Sequence, residues 1–289
     1  MGGAFVGVAD DATAGYWNPA GLVGGPVAGM TVGWVDFGSG DRRSPAAAGQ
    51  SRRTSKLIAL GTWPVGLSYG RYQDTEIISA PDGTLRVEGL AVSQLGATVL
   101  QSVTQGLVVG STIKHVRGRA ISGPIEGLTG GEALDRAARA EGDSSSHLDL
   151  DLGAMADMGR VRLGVIMRNV REPSFTDMAG SAIKLQRQTR MGLAVLPANG
   201  LTLAVDVDLD TVDLRDGPRR MLAVGGEDRF GHRWALRGGM RWDLEGVRRP
   251  VGTVGASLAF GRSVWLDGHY TYGRLDADRG FGVAFRAGS

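Results

Sequence analysis

The sequence predicts an all-β protein, a transmembrane antiparallel β-barrel of about fourteen strands over residues 26–289, preceded by a separate segment, residues 1–25. Three observations predict it. From Pro26 onward apolar and polar residues alternate with a period of two, which gathers the apolar side chains on one face of a strand. The connections alternate between long and short, as in outer-membrane barrels with long external loops and short periplasmic turns. Glycine is abundant, at 47 of 289 residues, and no apolar run approaches the roughly 18–20 residues that a transmembrane helix needs.

The alternation is clearest in Leu201–Asp210, where Leu201, Leu203, Val205, Val207 and Leu209 share one face and Thr202, Ala204, Asp206, Asp208 and Asp210 the other. Trp234, Leu236, Met240 and Trp242 alternate with Ala235, Arg237, Gly239 and Arg241 in the same way. The full reading places strands near 26–37, 56–63, 65–75, 86–102, 107–119, 147–159, 161–171, 184–197, 201–212, 219–228, 232–242, 250–260, 263–274 and 279–287. Many are close to the ~9–11 residues that cross a bilayer at a tilt. In the fourth strand the apolar phase slips between Val92 and Leu95, which predicts a bulge. Long connections follow the odd strands, at 38–55, 76–85, 120–146, 172–183, 213–218, 243–249 and 275–278. Short ones follow the even strands, around Pro64, Thr104-Gln105, Gly159-Arg160, Ala198-Asn199-Gly200, Phe230-Gly231 and Gly261-Arg262. An even strand count then sets both termini on the periplasmic side. Trp34, Trp63, Tyr69, Trp234, Trp242, Trp265, Tyr270 and Tyr272 lie near strand ends, where interface girdles place amphipathic rings. Residues 119–146 are rich in Gly, Ala, Glu and Ser and read as a disordered loop with a short helix around Glu132–Arg139.

Composition narrows the function. There is no cysteine, so disulfide and thiol chemistry are excluded. Acids and bases nearly balance at +2, which implies no nucleic-acid partner. No signal peptide is visible after Met1, and export would require one, so the chain reads as mature or trimmed.

The first residues read Gly-Gly-Ala-Phe-Val-Gly-Val-Ala-Asp-Asp-Ala-Thr-Ala-Gly-Tyr-Trp-Asn-Pro-Ala-Gly-Leu over 2–22. Asp10 or Asp11 is placed to cap a short helix through Ala12–Trp17. Asn18-Pro19 ends it, because the residue before proline is pushed out of the α region. The many small residues suit a backbone packed closely against walls. This stretch, above all Asp10-Asp11-Ala12 and Asn18-Pro19-Ala20-Gly21-Leu22, resembles the N-terminal signature of the long-chain fatty acid transporter (FadL-like) superfamily. That group includes PorV-type barrels of a secretion system and the barrels labelled conjugal transfer protein TraF. The resemblance implies a fourteen-strand outer-membrane barrel with the N-terminal segment folded into the lumen as a hatch, and hydrophobic substrates in the transporting members.

Strand phase assigns Lys114, Asp149, Asp151, Arg162, Arg168, Arg190, Asp206, Asp208, Arg237, Arg241, Asp267 and His269 to the interior. The simplest account is a set of cross-lumen ion pairs that hold hatch to wall, since charges out of bulk water need partners. The alternative is a polar permeation path whose charges select solutes. Enzyme-like signals fail on context. Gly66-Leu67-Ser68-Tyr69-Gly70 fits the G-x-S-x-G pattern, but alternation continues through it where a nucleophile elbow needs strand, turn and helix. Asp206, Asp208 and Asp210 lack the glycine of a calcium loop. His115, His147, His232 and His269 lack metal-ligand spacing. No catalytic site, metal or cofactor is expected. The expected function is passive movement of small hydrophobic solutes across the bacterial outer membrane, with lipid and lipopolysaccharide against the outward face. The alternative is a non-transporting barrel that docks a protein at its loops or periplasmic face, as the PorV-type resemblance implies. A soluble β-sandwich is a third reading.

Overall fold

The computed structural model describes all residues except 39–43, 81, 126, 140–142, 177–181, 215–216, 232 and 246–248. His232 and the start of the strand expected at 232–242 therefore lie partly outside the described residues. The chain forms β1 (Ala28–Gly38), β2 (Ser51–Thr62), β3 (Val65–Ser79), β4 (Leu85–Thr104), β5 (Leu107–Pro124), β6 (Ser145–Asp157) and β7 (Val161–Arg168). It continues with β8 (Ser174–Thr176), β9 (Ala182–Lys184), β10 (Gln188–Ala198), β11 (Leu201–Asp208), β12 (Val212–Leu214) and β13 (Gly217–Arg219). The last strands are β14 (Met221–Phe230), β15 (Trp234–Asp243), β16 (Val251–Phe260), β17 (Val264–Gly273) and β18 (Gly280–Gly288). Fourteen of them close into one antiparallel barrel, each paired with its neighbours in sequence order and β1 with β18. The remaining four form two small hairpins, β8–β9 and β12–β13, on connections expected to be irregular.

Closure removes both sheet edges, so the wall's backbone groups pair within it. Alternation then sorts the side chains. Along β11, Leu203 and Val205 are exposed and Ala204 and Asp206 are buried, as the sequence phase requires. No described helix is long and apolar enough to cross a membrane. At the short-turn end, Gly106, Gly159, Gly200, Gly231 and Gly261 all adopt positive φ, a conformation that costs glycine nothing. The β2–β3 turn instead carries a cis Trp63-Pro64 bond.

Three expectations need correction. The fourth strand has no bulge between Val92 and Leu95: β4 pairs in continuous register with β3 over this stretch, and its irregularity lies at Ser102/Thr104. The phase slips because β4 outruns the apolar band. Leu90 and Val92 turn to the inner face, where Phe175 and Val116 pack, while Val87 keeps the outward phase of Leu95 and, with Ile77 and Ile121, is covered by Ala133, Leu134 and Ala137 of α2 (Gly130–Arg139). The expected disorder of 119–146 also gives way, because β5 runs to Pro124 and α2 follows. Trp265 is not a girdle residue. It shares the face of Asp267, which is buried, and lies under the Arg286 guanidinium at 5.9 Å.

Candidate functional site

The strands are half-buried ladders whose inner face must meet something, and over much of the wall it meets residues 1–25. Glycines on inward positions make this approach possible. A Cβ on Gly110 would lie 2.7 Å from Ala20 N, and one on Gly153 2.8 Å from Pro19 Cδ. On Gly192 it would lie 2.6 Å from Gly7 N, and on Gly239 2.5 Å from Gly2 N. Gly110 pairs with Gly153 and Gly164 with Gly192 across neighbouring strands, as Gly225 does near Gly239, so the glycines form a belt around the wall. Ala4, Val6, Ala9, Ala14 and Ala20 are fully buried against it.

Hydrogen bonds fix the segment's path. The Asp206 carboxylate accepts the backbone N–H of Phe5 at 2.8 Å and of Val6 at 2.9 Å. Asn18 Nδ2 donates to Val6 O at 3.1 Å and to Ala154 O at 3.0 Å, while its Oδ1 accepts from Ala20 N. Thr112, paired by hydroxyl to Thr98, donates to Gly15 O at 3.2 Å. Helix α1 covers Ala14–Trp17, shorter than expected, and its N-cap is Thr13 rather than Asp10 or Asp11. Asp11 instead accepts from Thr13 N at 2.8 Å and from its hydroxyl, an Asx-type turn before the helix. Asn18 ends α1 in an extended conformation, and Pro19 then opens a 3₁₀ turn through Gly24, capped by Asn18. That second turn follows from the proline's fixed φ at a first helical position.

The aromatic side of the segment meets a cation. Tyr16 stacks on Tyr72 at 5.7 Å, Trp17 lies edge-on to Phe5 and Tyr16, and the Arg168 guanidinium sits 4.3 Å from the Tyr16 ring. A narrow cavity beside this stack is bordered by Tyr16, Tyr72, Gln94, Lys114 and Asp151, so its walls are polar.

Of the twelve residues that strand phase assigned to the interior, Lys114, Asp149, Asp151, Asp206, Asp208 and Asp267 are buried, and the ion pairs they make run along the wall. Lys114 on β5 bridges Asp149 and Asp151 on β6 at 3.0 and 2.7 Å. Arg190 holds Asp208 at 2.5 Å, and Arg237 reaches Asp267 at 3.1 Å and also pairs with Glu227. Arg162 pairs with Asp157. His269 packs against the open position of Gly282, and Arg241 shares its face with Gly239. These ion pairs join near-neighbour strands along the wall and do not span the lumen. The described ion pairs from segment to wall are Arg229 to Asp10 at 3.7 Å and Arg286 to Asp11 at 3.9 Å. Glu227, Arg229 and Arg286 were missed in the sequence. Arg286 alternates with Phe285 and was available to the period-two rule, whereas charges on both faces of Gly226-Glu227-Asp228-Arg229 hide its phase.

At the long-loop end, the β8–β9 hairpin seats Phe175, 1% exposed, on Val92 and Val116, with its ring edge-on to His147 at 5.3 Å.

No curated protein sequence matches the chain. Among solved structures, a monoaromatic hydrocarbon channel, CymD, superposes with a TM-score of 0.68 at 12% identity, covering 100% of this chain and 95% of that one. A FadL homologue from Pseudomonas aeruginosa gives 0.63 at 12%, covering 98% and 94%. The toluene transporter TodX of Pseudomonas putida gives 0.62 at 12%, covering 99% and 96%. At such identities the likeness speaks for the fold, a closed barrel shared over nearly the whole length of each chain. The family model described as F plasmid transfer operon, TraF, protein matches residues 48–208, more than half of the chain and all of the wall from β3 to β11. The chain belongs to this TraF family.

Proposed function

We propose that the chain is a bacterial outer-membrane barrel through which small hydrophobic solutes pass down a gradient, with residues 1–25 acting as a hatch. The observation that carries this reading is the combination of a closed fourteen-strand wall, apolar outward, with an N-terminal segment packed on its glycine belt. The same wall is shared with barrels described as monoaromatic hydrocarbon and toluene channels, which supports that solute class. The start of β1 and the end of β18 lie at the short-turn end, which supports periplasmic termini. Lipid and lipopolysaccharide meet the outward face.

The interior cavity beside Tyr16 is narrow and polar, so a hydrocarbon crosses only when the segment moves. Solute is taken up near the long loops, the segment swings about Asn18-Pro19, and the released path lets the solute diffuse through. The hinge assignment rests on Asn18, whose side chain joins both halves of the segment to the wall.

Proteoliposomes holding the full chain are expected to take up toluene faster than protein-free vesicles. Deleting residues 2–22 should raise both toluene entry and ion conductance while the barrel keeps its heat-modifiable mobility. Unchanged permeability after the deletion would sink the hatch, and uptake equal to that of empty vesicles would sink transport.

A further inference from the structure

Charge on the outward face is segregated. The outward positions of β15–β18, the set that includes Trp234, Met240, Val254, Tyr270 and Phe281, carry no Lys, Arg, Asp or Glu. Those of β1–β5 carry Arg52, Lys56, Arg71, Arg117 and Arg119 against one strand carboxylate, Asp36; Arg52 pairs with it at 3.0 Å and also with Asp135 of α2, which leaves the other four cations unmatched by either acid. Lys56 and Arg71 stand directly opposite one another between β2 and β3. The same row continues through Ser93 to Arg117.

Like charges directly opposite destabilise a sheet, and among the described residues neither Lys56 nor Arg71 has a carboxylate partner. Arg117 Nε donates to Ser144, leaving its two terminal nitrogens free for another acceptor, and Arg119 Nε is buried without one. Below the row, toward the short turns, Ile58, Tyr69, Leu95 and Ile113 are exposed apolar neighbours. Above it, on the same face, α2 sits on Ile77, Val87 and Ile121. The result is a cationic patch on the sheet face, with a helix above it and an apolar slope beneath.

We propose that this cationic patch binds the phosphorylated headgroup of an outer-leaflet lipid, whose acyl chains lie on Ile58, Tyr69, Leu95 and Ile113. A phosphate neutralises the opposed Lys56 and Arg71, and the guanidinium forks of Arg71 and Arg117 match its oxygens. The long alkyl stems of Lys56 and Arg71 lie along the apolar slope while their charges reach the headgroup. The proposal rests on the outer-membrane reading above.

The test uses the full chain in mild detergent, titrated with bisphosphorylated lipid A and with the same lipid after dephosphorylation, and read by native mass spectrometry. The wild type should bind the phosphorylated lipid at least tenfold more tightly than the dephosphorylated one. The Lys56→Gln/Arg71→Gln variant should lose that tenfold preference, and Arg262→Gln, in a short turn, should keep it. Arg117→Gln, expected to weaken binding severalfold, replaces the double variant if that does not show heat-modifiable mobility. Binding unaffected by the substitutions or by dephosphorylation overturns the proposal, as does displacement of the lipid by millimolar inorganic phosphate, which would mark a free-anion site. Fractionation of the chain with the inner membrane would instead sink the outer-membrane reading, independently of these titrations.

Discussion

The Asp206 carboxylate on β11 accepts the Val6 N–H at 2.9 Å, and the neighbouring N–H of Phe5 at 2.8 Å shares the same oxygen. One wall side chain thus satisfies two consecutive backbone donors of a segment two hundred residues earlier in sequence, at the point where Gly192 lets that backbone approach. Buried backbone donors must be paired, so this contact sets where the segment enters the belt.

Replacing it tests that role. In Asp206→Ala both N–H groups lose their acceptor, and each orphaned donor costs about 1–3 kcal/mol. Even at the low end, about 2 kcal/mol for the two donors together, opening of the segment should therefore become at least roughly 30-fold more frequent, at tenfold per ~1.4 kcal/mol. Hydrogen exchange at Phe5 and Val6 reads this directly, with exchange in β15–β17 as the unchanged reference. Protection at Phe5 and Val6 equal to wild type would show that Asp206 does not hold the segment.

The glycine belt makes an independent prediction. A methyl at Gly153 would meet Pro19 Cδ at 2.8 Å, whereas one at Gly268, on the outward face, meets nothing within 4 Å. Overpacking at a tight site costs about 1–3 kcal/mol, and an open surface position stays within about 0.5 kcal/mol. Gly153→Ala should lower the thermal midpoint in detergent and loosen residues 18–20, and Gly268→Ala should change neither. Equal midpoints for the two variants would remove the belt from the account.

Most of the wall was legible because a barrel strand has two unlike faces, one outward and one packed on the interior. Leu203 and Val205 are exposed on the outer face while Ala204 and Asp206 are buried on the inner one, so the period survives in a single sequence. Legibility fails where that contrast fails. On β4, Leu90 and Val92 are apolar on the inner face because Phe175 packs there, while Val87 stays outward under α2, so a second apolar partner looked like a bulge. Trp265 lies near a strand end like a girdle residue, and only its phase, shared with Asp267, turns it inward. Helix α1 shows the limit at short range: Asp11 has capping chemistry, yet its carboxylate bonds two residues ahead and leaves Thr13 at the cap. The belt was written in the sequence as glycine at inward positions, but the inward partner is non-local and has no period of its own.

The mooring of α2 should depend on pH. Glu132 accepts from Thr129 N at 3.0 Å and from its hydroxyl at 2.8 Å, and Thr129 accepts in turn from Glu132 N, a reciprocal capping box. These two donated bonds hold the Glu132 carboxyl below its ordinary value of 4.5. A depressed folded value means the box contributes fully above 4.5, begins to fail as pH falls below it, and is lost once pH passes through the folded value. Limited proteolysis around 127–139 should accelerate as pH falls from 5 to 3 with an acid-tolerant protease. Thr129→Ala should be fast at both, and a wild-type rate independent of pH would exclude the box as the mooring.

Phe175 seats the β8–β9 hairpin on the inner face at the long-loop end. The β8–β9 hairpin has three paired positions on each strand, too few to hold a shape by itself. Its seat is the Phe175 ring on Val92 and Val116, at 1% exposure, with His147 edge-on at 5.3 Å. A buried Phe→Ala change costs about 3–5 kcal/mol, more than so short a hairpin recovers from its own ladder. In Phe175→Ala the hairpin should leave its seat and uncover Val116 toward the long-loop side, while the wall, closed by its own pairing, stays folded. The chain has no cysteine, so Val116→Cys supplies a single reporter on the inner face. An aqueous thiol reagent should label it at least tenfold faster with Ala at 175 than with Phe, and toluene entry into proteoliposomes should rise in parallel. Equal labelling rates with unaltered heat-modifiable mobility would show that the hairpin is held by something other than Phe175.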